Sequence, residues 1–401
     1  MIDLYLLSVI IFFAILGILI YKDRKNIDFK YILFMRRTKR FRNVLDRIAK
    51  RSIRFWKIIG TIAFLVCIFY MIYGTWNITN LAYLIFTGLK LPGPAVSIAL
   101  PIPSQQVTVG PGFIGIPFWF WIIAVSIILI PHETMHGIIA RAEKIKLKDV
   151  GLMLLAIFPG AFVEPDEKQM KKSKFMTRMR IFSAGSFINI TIGFIVILLV
   201  QNLLWAPNVS GILITDVNET APAGQIGLKP GMVIQSIDGR DMSMSFNDYA
   251  YIALTIDNSN TENITQIMSS YILTGTLVQY KPGDVVNMKV DGKDYNLTLG
   301  SRYLNEYYPD FAYLGIESRA NTSDPSLFYA VLPLFGMIAM LSILVGIFNI
   351  LPIYPLDGGL IVQSIAEKIS KKKSQQITMA ITFFVAMILV FIIMAPLLQN
   401  L

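Results

Sequence analysis

The sequence predicts a polytopic α-helical membrane protein with about six transmembrane helices, a re-entrant loop and an inserted extracytoplasmic domain rich in β structure. Of the 401 residues, 54% are hydrophobic and only 15% are charged, whereas a soluble globule averages about 25% charged. Six apolar stretches are long enough to be spans, each of which needs about 20 residues. The charges collect between these stretches, basic in the short connections and acidic in the long one. This composition excludes an ordinary soluble enzyme and a disordered chain. The single cysteine, Cys67, excludes a disulfide framework and a cysteine-based zinc site.

The stretches run roughly over 2–21, 57–76, 114–140, 181–204, 327–351 and 376–398. The first is too long and too weakly basic at its start for a cleaved signal peptide and is expected to span. Asn80–Pro103 carries Lys90 and four prolines and is expected to form a loop near the membrane surface. Gly151–Val163, an apolar run of 13 residues, is too short to span and suits a re-entrant segment.

Residues 22–57 hold 14 Lys/Arg against 3 Asp/Glu, residues 141–180 hold 10 against 5, and residues 367–373 hold 4 against 1. Positive charge marks the cytoplasmic side, so these three segments lie inside. Both termini and the long connection 205–325, with 7 basic and 14 acidic residues, lie outside. The net charge of +10 is thereby a topology signal, and no nucleic-acid partner is needed to explain it. Tyr31–Lys57 mixes Phe34, Leu45, Ile48, Ile53 and Trp56 with many Arg and Lys. It reads either as an interfacial helix on the anionic leaflet of the bilayer or as a plain basic loop. The expected organisation is N-terminal helices with a basic cytoplasmic loop (1–113), a first core part (114–206), an extracytoplasmic domain (207–325), and a second core part with the last helix (326–401).

Outside the cytoplasmic segments and the outer domain, the acids that remain are Asp3, Glu133 and Asp357. An ionisable residue inside a membrane segment is costly and marks function by default. The chain's two histidines, His132 and His136, flank Glu133 in Ile130-Pro-His-Glu-Thr-Met-His-Gly137. On a helix, residues i and i+4 share a face, so both imidazoles can hold one metal ion, with Glu133 beside the first to take a proton from water. Two imidazoles and an oxygen favour Zn²⁺ with an open fourth position. The alternative is a pair of histidines that hydrogen-bond their neighbours.

Phe348-Asn-Ile-Leu-Pro-Ile-Tyr-Pro-Leu-Asp-Gly-Gly359 is the source expected for the third ligand. Pro352 and Pro355 break the helix, Gly358 and Gly359 loosen the chain beyond them, and broken backbone at membrane depth lines an interior site. Asp357 is aimed into that site, or else it caps a short helix Leu360–Ile369.

With HETMH and FNILPIYPLDGG in this order, the sequence resembles the site-2 protease family of intramembrane zinc metalloproteases. Tyr354 stands where that family commonly has proline. Gly185-Ser-Phe-Ile-Asn189 resembles its G-x-x-x-N element, with Ser186 where proline is frequent, and Gly151–Glu164 resembles its re-entrant loop. The resemblance covers about residues 114–204 and 327–370. It implies one Zn²⁺ per chain on His132, His136 and Asp357, with Glu133 as general base and acid. It also implies cleavage within or beside transmembrane segments of membrane-protein substrates, single-span ones above all. Asn189 and Asn349, polar groups in apolar helices, are expected either to hold the substrate backbone or the oxyanion or to make interhelical hydrogen bonds. The site would lie towards the cytoplasmic side of the cell membrane.

Residues 207–325 read as a soluble β-rich domain. Ala221–Arg240 resembles the helix, turn and strand of a PDZ fold, and Tyr280–Gly292 its later strand pair, while 251–276 has no place in that pattern. Such a domain would screen substrates by strand addition or serve as a steric lid. Sequons at Asn77, Asn208, Asn218, Asn263, Asn296 and Asn321 fall on the expected outer side. An inactive membrane adaptor with a peptide-binding domain is the alternative function, disfavoured by the intact ligands and glutamate. A transporter is disfavoured by the lack of an inverted repeat.

Overall fold

A computed structural model describes residues 3–31, 33–89, 98–104, 108–110, 113–155, 158–205, 209–246, 248–249, 252, 264–303, 310–323 and 331–399. The sequons at Asn208 and Asn263, the centre of the expected 80–103 loop, much of 251–276 and the middle of the 151–163 segment lie outside the described residues. The helices are α1 (Leu4–Asp23), α2 (Lys39–Arg51), α3 (Ile53–Phe86), α4 (Phe118–Ala142), α5 (Glu167–Lys172), α6 (Phe175–Leu199), α7 (Pro222–Gln225), α8 (Ile264–Leu277), α9 (Leu332–Ile350), α10 (Asp357–Ile369) and α11 (Ser374–Gln399). Among the described residues, six helices are long and apolar enough to cross a membrane: α1, α3, α4, α6, α9 and α11. The chain divides into two compact units, Met1–Val196 with Met337–Leu401, and Ile197–Gly336.

Span ends depart from the hydropathy expectation where polar residues find partners. Helix α3 runs for 34 residues, well beyond the expected stretch at both ends. Helix α6 starts at Phe175 and so takes in Arg178 and Arg180. Arg180 reaches Glu143 at 2.6 Å, where Thr177 also donates at 2.9 Å and Lys57 stands at 3.5 Å. This cluster joins α3, the end of α4 and α6. Burial alone would raise the Glu143 carboxyl, but the hydrogen bonds from Arg180 and Thr177 and the charge of Lys57 hold it below the ordinary glutamate range. Arg178 pairs with Glu367 on α10, and Arg141 with Asp46 on α2.

The first unit contains two sheets. A three-stranded sheet of β3 (Ile98–Ile102), β4 (Thr108–Gly110) and β5 (Phe113–Pro117) precedes α4, with β5 between the other two. A four-stranded antiparallel sheet has the order β1 (Ile27–Lys30), β2 (Leu33–Arg37), β6 (Leu147–Leu155), β7 (Phe158–Pro165). The described parts of the apolar segment, 151–155 and 158–163, are thus paired antiparallel strands, and the basic region supplies the strand pair that continues their sheet, Arg36 opposite Leu152 and Phe34 opposite Leu154. Helix α2 comes from the same basic region. Its Leu45 and Ala49 are buried with Ile138, Ile139 and Val150, so its apolar face packs on protein. Gly137 keeps that contact close, since a Cβ there would stand 2.7 Å from Leu45 Cδ1 and 3.2 Å from Val163 Cγ1.

The second unit is built on a six-stranded sheet containing β8 (Val209–Val217), β9 (Val233–Ile237), β10 (Arg240–Asp241), β11 (Val285–Val290), β12 (Lys293–Thr298) and β15 (Ile316–Thr322). The order is β12-β11-β9-β8-β15, with β10 on β9. Strand β11 alternates exposed and buried residues along its length, as a half-buried strand should. Its Val286, Met288 and Val290 join Ile212, Ile214, Ile234 and the α8 residues Leu273 and Leu277 in one core. A separate pair, β13 (Gly300–Arg302) and β14 (Phe311–Tyr313), leads into β15.

Candidate metal centre

Helix α4 carries both histidines on one face, and both are buried. Their Nε2 atoms stand 3.2 Å apart. Helix α9 ends at Ile350, and a tight turn through Pro352 and Pro355 leads into α10. Asp357 is the first residue of α10 and makes no capping hydrogen bond. The helix starts three residues earlier than the sequence suggested, so Gly358 and Gly359 lie inside it. Their role is close approach: a Cβ on Gly358 would strike the carbonyl oxygens of Ile350 and Leu351, and one on Gly359 the backbone of Tyr354. The turn therefore folds back against α9 and delivers Asp357 Oδ2 to 3.5 Å from His132 Nε2 and 3.4 Å from His136 Nε2.

Helix α6 forms the opposite wall. Gly185 faces the imidazoles, and a Cβ there would collide with Nε2 of both histidines. His136 Nδ1 donates to the Ile181 carbonyl at 2.7 Å, which leaves Nε2 with its lone pair. Asn189 is completely buried and its Nδ2 stands 3.1 Å from His132 Nδ1, while its Oδ1 is buried with no partner. Turning the amide over lets Oδ1 accept from His132 Nδ1–H and moves Nδ2 to the buried position that has no partner among the described residues. That arrangement likewise leaves His132 Nε2 bare.

Two imidazole lone pairs and a carboxylate oxygen thus face one point without a proton between them, which a cation stabilises. Their separations of 3.2, 3.4 and 3.5 Å are close to the edge of about 3.3–3.4 Å expected for a tetrahedron with 2.0–2.1 Å metal–ligand bonds. Among the described residues these three are the group able to hold a metal ion. The residues present fit zinc.

Glu133 is part-buried on the next position of α4 and lies outside this triad. Its Oε2 accepts from the backbone N–H of Val163 on β7 at 3.0 Å. Asn349, one residue before α9 ends, is half-buried and has no side-chain hydrogen bond among the described residues. The structure therefore brings together His132, His136 and Asp357 with Asn189 behind them. It engages Asn189 in an interhelical hydrogen bond with His132. Ile181 and Val163 act through backbone groups and Ser186 through its hydroxyl, and none of the three stands out in composition or spacing.

The sequence model of peptidase family M50 matches residues 120–393. The chain belongs to peptidase family M50. The M50 peptidases are the site-2 protease family, and they are zinc metalloproteases. Over 374 residues this M50 chain is 26% identical to the uncharacterized protein MJ0971 of Methanocaldococcus jannaschii, covering 92% of the chain and 88% of that protein. With its six apolar helices, this M50 member is an integral membrane protein.

Proposed function

We propose that this M50 chain is an intramembrane zinc metalloendopeptidase that cuts peptide bonds within or beside the transmembrane segment of membrane proteins, single-span substrates above all. One Zn²⁺ per chain is held by His132, His136 and Asp357. The observation that carries this reading is the convergence of those three donor atoms with Glu133 on the adjoining position of the same helix. When bound, the ion supplies a Lewis acid that polarises the scissile carbonyl and acidifies the attacking water. Glu133 takes the proton from that water and returns it to the leaving amine. Val163 N–H holds the carboxylate in place between the two transfers. Asn349, whose amide has no hydrogen bond among the described residues, steadies the substrate backbone or the oxyanion.

A helical substrate must release its carbonyls before attack, and the β6–β7 strand pair supplies a place for it. Strand β7 is an edge of its sheet, and Val163 N–H points away from β6 towards Glu133. In an antiparallel ladder alternate residues turn the same way, so the N–H and C=O of Ala161 face that side too. Away from the Glu133–Val163 contact there is a cavity of about 470 Å³, lined by Ser126, Leu129 and Ile130 of α4, by Pro159 and Gly160 of β7 and by α1. An unwound substrate segment adds to β7 there as a further strand. The re-entrant element of this reading is the β6–β7 strand pair.

The basic connections put the centre towards the cytoplasmic side of the cell membrane and the inserted unit outside. Because α2 buries Leu45 and Ala49 on protein, it meets the anionic leaflet chiefly through exposed Lys39, Arg40, Arg47, Lys50 and Arg51, with Val44 exposed among them. The inserted unit is read as PDZ-like. Its edge strand β15 is covered, however: buried Ser269 on α8 donates to the Ser318 carbonyl at 2.8 Å. Strand addition at β15 requires α8 to withdraw, which favours steric screening of substrates over peptide capture. It also weakens the adaptor alternative.

Metal analysis of the purified full-length chain tests the centre. One zinc per chain is expected, with His132→Ala, His136→Ala and Asp357→Ala each falling well below that. Stoichiometric zinc in all three variants would remove the assignment.

A further inference from the structure

Ser186 is completely buried on α6, among apolar residues of a candidate span. A buried hydroxyl needs a partner. On a helix the nearest is the carbonyl four residues back, and Thr191 on the same helix takes it, donating to Phe187 O at 2.8 Å. Ser186 does otherwise. Its Oγ donates across to Asp357 Oδ2 at 3.0 Å. This is the same oxygen that stands 3.5 and 3.4 Å from the two histidine Nε2 atoms. With both Nε2 atoms bare, Ser186 is the one group among the described residues that donates a hydrogen bond to the Asp357 carboxylate.

The position has a geometric logic. Gly185 and Asn189 lie four and eight residues after Ile181 and share its side of the helix, and Ser186, next after Gly185, stands at the border of that side. Ile181 O holds His136, Asn189 holds His132, and Gly185 leaves the space between them. Ser186 supplies the one bond still needed, to the third donor. Without it, the Asp357 side chain, uncapped at the start of α10, can rotate Oδ2 away from the imidazoles. A proline at position 186 has no hydroxyl and makes no such bond.

We propose that Ser186 is a positioning residue for Asp357: by hydrogen-bonding Oδ2 it completes, on one side of α6, the set of contacts that orients all three donors and sets the affinity of the centre for its ion. The inference rests on the metal-centre reading above. Outer hydrogen bonds of this kind typically change metal affinity by about 10- to 100-fold.

The test uses purified full-length protein in detergent, with zinc and a competing chelator. Ser186→Ala removes one oxygen and leaves the helix intact. Zinc should bind about 10- to 100-fold more weakly in Ser186→Ala than in wild type, while the unfolding temperature of the two metal-free proteins stays the same. Cobalt-loaded samples provide a second readout: the visible bands of the ion should shift in Ser186→Ala, because its carboxylate ligand is reoriented. Equal zinc affinity and identical cobalt spectra would overturn the proposal. A loss of stability in the metal-free variant equal to the loss in the zinc-loaded one would also overturn it, by making Ser186 a packing residue. If wild type itself binds no zinc, the metal-centre reading fails first, and this inference falls with it.

Discussion

Gly185→Ala is the sharpest single perturbation of the centre. A Cβ at this position would lie 2.6 Å from His132 Cε1 and closer still to Nε2 of both histidines. Neither ring can yield freely. His136 is tied to Ile181 O at 2.7 Å and His132 to the Asn189 amide at 3.1 Å. One methyl therefore forces either α6 back from α4 or both rings off their hydrogen bonds. Overpacking a well-filled interior by one methyl typically costs about 1–3 kcal/mol. If that strain is relieved by displacing the donor atoms, it appears as weaker metal binding, by about 5- to 150-fold. The assay is zinc competition on the purified chain, alongside cleavage of a membrane reporter. The expected result is a matched loss of zinc affinity and cleavage, with both restored in part by excess zinc. Gly185→Ala with wild-type zinc affinity would refute the placement of α6 against the histidines.

Two further outcomes rest on the same contacts. Val163→Pro removes the N–H that holds Glu133 at 3.0 Å without removing a ladder bond to β6, and proline is tolerated on an edge strand. Cleavage should fall at least 10-fold with zinc content unchanged, and unchanged cleavage would sink the role of this N–H. Glu143 titrates below its ordinary range when folded, so its unfolded form binds the proton more tightly. Its stabilising contribution is complete above the unfolded value of about 4.3 and is lost as pH falls through the lower folded value. Thermal unfolding in detergent should show Glu143→Gln less stable than wild type at neutral pH, with the two curves converging below about pH 4. Parallel curves across that range would refute the role of the cluster.

Hydropathy and charge made the spans and their sequence order legible, because the bilayer's demand for about 20 apolar residues acts locally along the chain. The ends of α3 and α6 were less legible. Arg178 and Arg180 look like loop residues until Glu367 and Glu143 appear opposite them. His132, Glu133 and His136 announce themselves by spacing on one helix. Asp357 stands out as a lone acid beside helix-breaking prolines, and its two glycines turned out to serve close packing at the start of α10. The sheet was the part least visible. Leu33–Arg37 is short and basic, and its pairing with Gly151–Leu155 joins segments more than a hundred residues apart, which no local pattern encodes. Leu45 belongs to the same difficulty: its helix looks suited to a lipid surface, yet the α4 face with Gly137 takes it instead. Asn189 was legible as a polar residue out of place, but its partner was not, since the distance to His132 depends on how α6 crosses α4.

The most direct test of the account compares wild type with Glu133→Gln in the same membranes, following cleavage of a panel of single-span reporter proteins with zinc measured in each sample. Among the described residues Glu133 accepts only from Val163 N–H, and it lies outside the three-donor group. The account predicts that Glu133→Gln keeps its zinc and cleaves none of the reporters that wild type cuts. Equal cleavage by both proteins would contradict it.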